Sequence, residues 1–311
     1  MAANQPPPTI DPSGGVPSPA PVPAGTADPA GTADPAGTAD PAGTAPGDLA
    51  ASRVPRGPAA TGAESSADRD AAVGDPVAAT LRALLAGRSN ARVIDVGGGS
   101  GSLTVPLAVA GCQVTVVDPS IDALAILRRR AAEAGVADRV VAVQADLDAL
   151  ESAVGNADAD LVLCHRVLES VDSLERVPPA LAALAGCLAP TGALSLLVPG
   201  RPAAVLAMAL AGRFEDAMAV HASPDGRYGA ADPLRVRFDI DRLSELLAAA
   251  GLRVTSANGI GVVSGLLPGA ILQARPDGRR ALAGLEAQLS TSPPLRELAA
   301  ELHIIAVPAQ Q

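Results

Sequence analysis

The chain has 311 residues, 48% of them hydrophobic but only 1% aromatic, and carries a net charge of −10. All 23 basic residues are arginine, and five of the 33 acidic residues lie in the first 50 positions with no basic side chain beside them, which leaves the remainder near −5. That balance argues against the basic stripe of an ordinary nucleic-acid surface, and with Phe214, Tyr228 and Phe238 as the whole aromatic inventory, platforms for stacking bases are nearly absent.

Residues 1 to about 50 are Pro, Ala, Gly and Thr, with the unit Pro-Ala-Gly-Thr-Ala-Asp starting at Pro23, Pro29 and Pro35 and a truncated copy at Pro41. The period is too short for a stacked repeat and the unit has no bulky apolar side chain to bury, so a disordered tail is expected. Residues 51–311 have the size of one α/β domain. The three cysteines, Cys112, Cys164 and Cys187, lie far apart, without the spacing of a metal site or a disulfide framework, which points to the cytosol. No charged-then-apolar leader and no apolar run long enough to span a bilayer is visible.

A short helix is expected over Ala78–Leu85, then a strand over Arg92–Val96 that breaks into Gly97, Gly98, Gly99, Ser100 and Gly101 before a helix from Ser102. Further strands follow at Gln113–Val117, Arg139–Gln144, Ala159–Cys164 and Ala193–Val198. Helices between them cover about Ser120–Ala134, a short stretch after Leu147, and Leu174–Leu188. Pro190-Thr191-Gly192 reads as a turn. Strictly alternating strand and helix imply a parallel sheet with right-handed crossovers. Beyond it come a helix over Arg201–Ala211, an irregular insertion over Phe214–Arg237, and an amphipathic helix over Asp241–Ala250 stopped by Gly251. A strand over Leu252–Ala257, two helical pieces in Arg275–Leu302 around Pro293-Pro294, and a last strand over Leu302–Val307 complete the chain.

Ligands of open α/β sheets bind beyond the carboxyl ends of the strands, and several ends here are polar. A glycine run between strand and helix lets a ligand approach bare backbone near the positive end of the helix. A dinucleotide fingerprint would need a third glycine where Ser102 stands; the glycines fall instead as G-x-G-x-G at 97, 99 and 101, two residues after Asp95. Asp118 closes the second strand, where an acid can accept from both hydroxyls of a ribose. Asp146 closes the third, where capping of the next helix is an equally good use for it.

The segment from Asp95 to Gly101 resembles motif I of the class I S-adenosylmethionine-dependent methyltransferases. The stretch His165-Arg166-Val167-Leu168-Glu169-Ser170-Val171 is similar to a segment of the tRNA 5-carboxymethoxyuridine methyltransferases, and the likeness runs collinearly over most of residues 90 to 307. The resemblance implies a Rossmann-like α/β fold. Its sheet would have seven strands, mostly parallel with the last one antiparallel, helices on both faces, and substrate-side insertions near 201–240 and 260–300. It implies S-adenosylmethionine as cofactor, held by Asp95, Gly97, Gly98, Gly99, Gly101, Asp118, Asp146, Leu147 and His165, with Asp146 on the adenine amino group and Leu147 over its ring. It places His165 beside the transferred methyl, to orient the acceptor or act as a base, while Arg166, Arg201 or Arg235 would pair with a carboxylate acceptor.

The family's tyrosine- and lysine-containing segment ahead of the first strand is missing: Gly74–Arg82 stands there, and only Arg82 matches. The acceptor is then a small carboxylate-bearing molecule or a modified tRNA nucleoside, and the lack of a basic patch favours the first. Two other readings are a non-catalytic S-adenosylmethionine-binding protein and a NAD(P)-dependent oxidoreductase. No metal-ligand spacing appears, His221 and His303 have no evident partner, Glu169 reads as solvent-facing or bonded to loop backbone, and the oligomeric state is open.

Overall fold

The computed structural model describes residues 75–155, 158–267 and 276–309. The repeat-bearing tail over 1–50 lies outside them, as does Arg275, where the first of the last helical pieces was expected to start.

Seven strands form one sheet in the order β3-β2-β1-β4-β5-β7-β6. They are β1 (Arg92–Val96), β2 (Gln113–Val117), β3 (Val140–Val143), β4 (Ala159–His165), β5 (Leu188–Pro199), β6 (Leu252–Ile260) and β7 (Glu301–Pro308). Neighbours among β1 to β5 pair in parallel, and β7 runs antiparallel to both β5 and β6. Alternating side chains of the central strands feed two cores. Val162 and Cys164 of β4 pack on one face with Leu150 of α4 (Leu150–Val154), Val177, Leu181 and Leu184 of α5 (Val177–Gly186) and Leu243 and Leu247 of α8 (Ile240–Ala249). Leu161 and Leu163 pack on the other with α1 (Pro76–Leu84), α2 (Thr104–Val109) and α3 (Ile121–Glu133). Strands buried on both faces read as continuous Val/Leu runs, which is why their positions were visible in the sequence.

Two expectations change. Pro190-Thr191-Gly192 is not a turn outside the sheet; it lies within β5, where the register against β4 shifts between Ala159 and Leu161. A Cβ on Gly192 would stand 2.4 Å from the Ala159 carbonyl, so only glycine lets the strands close there. The insertion is also less irregular than expected. Phe214–Ala222 forms helix α7, with Glu215 and Asp216 in its first turn, and Ala217 and Val220 pack against Met208 of α6 (Arg201–Leu210). The rest of it, 223–237, is arranged around Asp232, which is fully buried and accepts from both terminal nitrogens of Arg237 (2.6 and 3.0 Å) and from the Tyr228 and Leu234 N–H groups. Such an acid cannot be told from a solvated one by composition.

Candidate functional site

The glycine run turns the chain sharply where β1 ends. Gly97, Gly99 and Gly101 have φ of 72°, 53° and 82°, in the region other residues avoid. The Gly97 N–H bonds the Val117 carbonyl at 2.7 Å, tying the turn to β2. Its neighbours crowd the loop unevenly. A Cβ on Gly97 would lie 2.3 Å from Val167 Cγ2, one on Gly98 2.5 Å from Asp95 Oδ2, and one on Gly101 2.3 Å from Leu127 Cδ1. At Gly99 the nearest atoms are Asp118 Oδ2, 3.8 Å away, and the Gly97 carbonyl oxygen, 3.9 Å away, so a Cβ there would make only ordinary contacts and clash with nothing.

Asp95 is buried beneath the loop and accepts from Thr104 Oγ1 at 2.6 Å. Burial pushes its carboxyl up to about 6; the Thr104 hydroxyl works against this and the Asp118 charge adds to it. Asp95 therefore supports the loop from below. Asp118 ends β2 with both oxygens engaged: Oδ2 takes the Gly99 N–H at 2.9 Å and Oδ1 the Ser120 N–H at 2.8 Å. Each oxygen keeps a further lone pair, beside the uncrowded Gly99. Asp146 is exposed and accepts from the Ala149 N–H at 2.9 Å, bracing the turn ahead of the short helix Leu150–Val154, whose N-cap Ala149 has no side-chain cap, with Leu147 half-buried against the core beside it.

The structure brings His165 to the end of β4, partly buried, with Nε2 2.9 Å from Ser195 Oγ. Ser195 Oγ lies 2.8 Å from His303 Nε2, and the two rings stand edge to face at 5.7 Å. His303 thus has a partner after all. The pairing of β5 with β7 supplies it, a contact spanning 108 positions of sequence. Burial drives the His165 imidazole down to about 3, helped by His303 and the Arg166 charge, so it stays neutral at ordinary pH.

Two of the three arginines named for a carboxylate acceptor are already paired with acids. Arg166 forms a two-pronged pair with Glu301 (2.5 and 2.8 Å), bridging β4 and β7 across the end of β5. Arg201 pairs with Asp239 and donates to the Ser223 carbonyl. Arg235, in contrast, is exposed and has no ion pair among the described residues; its N–H bonds the Glu169 carbonyl at 2.8 Å.

Glu169 corrects the sequence reading most. It does not face solvent: the residue is 7% exposed, and although its carboxyl bonds its own backbone in the loop, Oε2 has no hydrogen-bond partner. Burial raises its carboxyl to about 7; a hydrogen bond from its own backbone opposes this, Glu301 adds to it and Arg166 opposes. A single hint was present for Ser195, a lone hydroxyl in an apolar strand, which must find a partner once buried. Past the end of β5, a cavity of about 190 Å³ opens between Gly200, Ala203, Ala204, Leu234 and Ala300, with small apolar walls. No cluster among the described residues could hold a metal, and no helix among them is long and apolar enough to cross a membrane.

A family model for a methyltransferase domain matches residues 67–257. The ubiquinone biosynthesis O-methyltransferase of Bordetella parapertussis is 40% identical over 97 residues, covering 31% of this chain and 39% of that protein. The protein of the same name from Xanthomonas axonopodis pv. citri is 36% identical over 125 residues, 40% of this chain and 49% of its own length. The chain therefore spans less than half the length of these curated relatives. Among solved structures, the CcbJ methyltransferase from Streptomyces caelestis superposes with a TM-score of 0.51 at 14% identity, over 75% of this chain and 88% of that one, a likeness of fold.

Proposed function

The chain belongs to the methyltransferase-domain family, and from that premise we propose that it transfers the methyl group of S-adenosylmethionine to an oxygen of a small molecule. The observation that carries this reading is the uncrowded, positive-φ glycine turn at Gly99, held to the Asp118 carboxylate by its N–H at 2.9 Å at the carboxyl ends of β1 and β2. In the proposal Asp118 takes the ribose hydroxyls on the lone pairs left by Gly99 and Ser120. Asp146 and Leu147 flank the adenine, the glycine loop admits the rest of the cofactor against bare backbone, and His165 faces the acceptor. The sulfonium supplies a methyl that is already electrophilic, so the protein's task is alignment of the acceptor oxygen and exclusion of competing water.

A small acceptor suits this chain better than tRNA. A domain near −5 with no lysine has no net surplus of cations to neutralise phosphates. The names of the curated relatives speak for an oxygen acceptor. With Arg166 and Arg201 held by acidic partners, a carboxylate on the acceptor would fall to Arg235. Bulk tRNA and a set of phenols and carboxylates, each offered with methyl-labelled cofactor, separate the two substrate classes; label entering tRNA would restore the wobble-uridine reading.

Titration calorimetry tests the cofactor. S-Adenosylhomocysteine should bind and NAD(P) should not; tight NAD(P) binding would instead favour an oxidoreductase. Asp118→Ala should weaken binding by roughly 1–3 kcal/mol, the cost of stranding buried polar groups. Undiminished affinity in that variant removes Asp118 from the site. Binding without transfer to any acceptor would leave the non-catalytic reading.

A further inference from the structure

The His165–Ser195–His303 chain determines more than a position. Ser195 is fully buried and its hydroxyl has one hydrogen, yet it touches a ring nitrogen on each side. It must donate to one imidazole and accept from the other. If it donated to His303, the hydrogen of His303 would sit on Nδ1. That atom is buried and has no hydrogen-bond partner, and a buried N–H with nowhere to point is among the costliest defects in a protein. In the opposite arrangement His303 donates through Nε2 and its Nδ1 keeps only an idle lone pair. Ser195 then donates to His165 Nε2, and the hydrogen of His165 has to lie on Nδ1.

We propose that Ser195 and His303 are positioning residues that hold His165 as a neutral imidazole with its hydrogen on Nδ1, so that it meets a bound ligand as a hydrogen-bond donor and not as a base. Only the nature of that ligand rests on the methyl-transfer reading. Burial keeps both rings neutral, His165 at about 3 and His303 at about 4. The charged groups felt at the pair agree with this order. Arg166 lies beside His165 and disfavours an imidazolium there. Asp75 acts on His303 at a distance, its Oδ1 being taken by the Val77 N–H. A fixed donor at the end of β4 favours an acceptor whose oxygen arrives anionic, a phenolate or carboxylate, over a neutral alcohol that needs a base.

Ring nitrogen-15 spectra of the full, ligand-free chain decide the matter whether or not any cofactor binds. The chain has three histidines, so His221→Gln and His303→Gln assign the signals. His165 should show a protonated Nδ1 and an unprotonated Nε2, unchanged from about pH 5 to 8. Ser195→Ala should abolish that preference and Ser195→Thr, which keeps the hydroxyl, should restore it. A wild-type ring with its hydrogen on Nε2, or one that titrates in this range, overturns the proposal, as does a Ser195→Ala spectrum identical to wild type. If His303→Gln fails to fold, His165→Gln assigns the same pair of rings, and the assigned wild-type spectrum decides the proposal without the Ser195 variants.

Discussion

The stability gap between Glu169→Gln and the unaltered protein should widen in favour of the variant by about 3 kcal/mol between pH 4 and pH 8. Glu169 is 7% exposed with one oxygen unpartnered, and its carboxyl is raised from 4.5 to about 7. Between those values the folded protein holds a proton that the unfolded chain has released, so raising the pH favours unfolding. The penalty grows from about pH 4.5 and levels off above about 7. Glutamine cannot ionise and escapes it. For a domain of this size the gap corresponds to roughly 5–10 °C in melting temperature at pH 8. Asp95, raised from 3.8 to about 6 by burial, acts in the same direction and is untouched by the substitution. Thermal melts of both proteins from pH 4 to 8 read the difference directly. Parallel curves would show that the Glu169 carboxyl finds a partner or solvent.

A second large effect is expected at Gly97, and it should differ in kind from that at Gly99. A methyl group on Gly97 meets Val167 Cγ2 at 2.3 Å on a backbone of φ 72°, and the bond to Val117 prevents the turn from drifting away. Overpacking and left-handed strain together should cost roughly 2–5 kcal/mol. Trimming the obstacle with Val167→Ala should recover the packing part. Gly99→Ala has 3.8 Å of clearance and bears only the strain of φ 53°, on the order of 1–2 kcal/mol, so it should fold. Its methyl group enters the space assigned to the cofactor, and binding of S-adenosylhomocysteine should be lost. Melting curves and calorimetry on both variants separate the roles. A Gly97→Ala protein as stable as wild type would falsify the packing against Val167, and full affinity in Gly99→Ala would empty the proposed site.

The contrast between these glycines illustrates what the sequence carried. The run from Gly97 to Gly101 announced a strand-to-helix turn with bare backbone, because glycine tolerance of positive φ is a property of single residues. It did not say which glycine is pressed by neighbouring side chains and which has room for a Cβ, because Val167, Leu127 and Asp118 arrive from other elements. The same holds for charge. Arg166 and Arg201 looked available for an anionic acceptor because their partners, Glu301 and Asp239, lie 135 and 38 positions away.

By itself the sequence determined the order of strands and helices, the parallel sheet and the polar strand ends, since apolar runs, alternation and glycine breaks are local. It also carried the likeness to a methyltransferase domain, because a loop that bares its backbone at the end of a strand needs its glycines at fixed spacing. The tertiary structure alone decided the state of the ionisable groups. Burial strips water from Glu169, His165 and Asp95, and strand register brings Ser195 and His303 together. Solvation and through-space pairing depend on which distant segments close over a residue, and no local pattern encodes that.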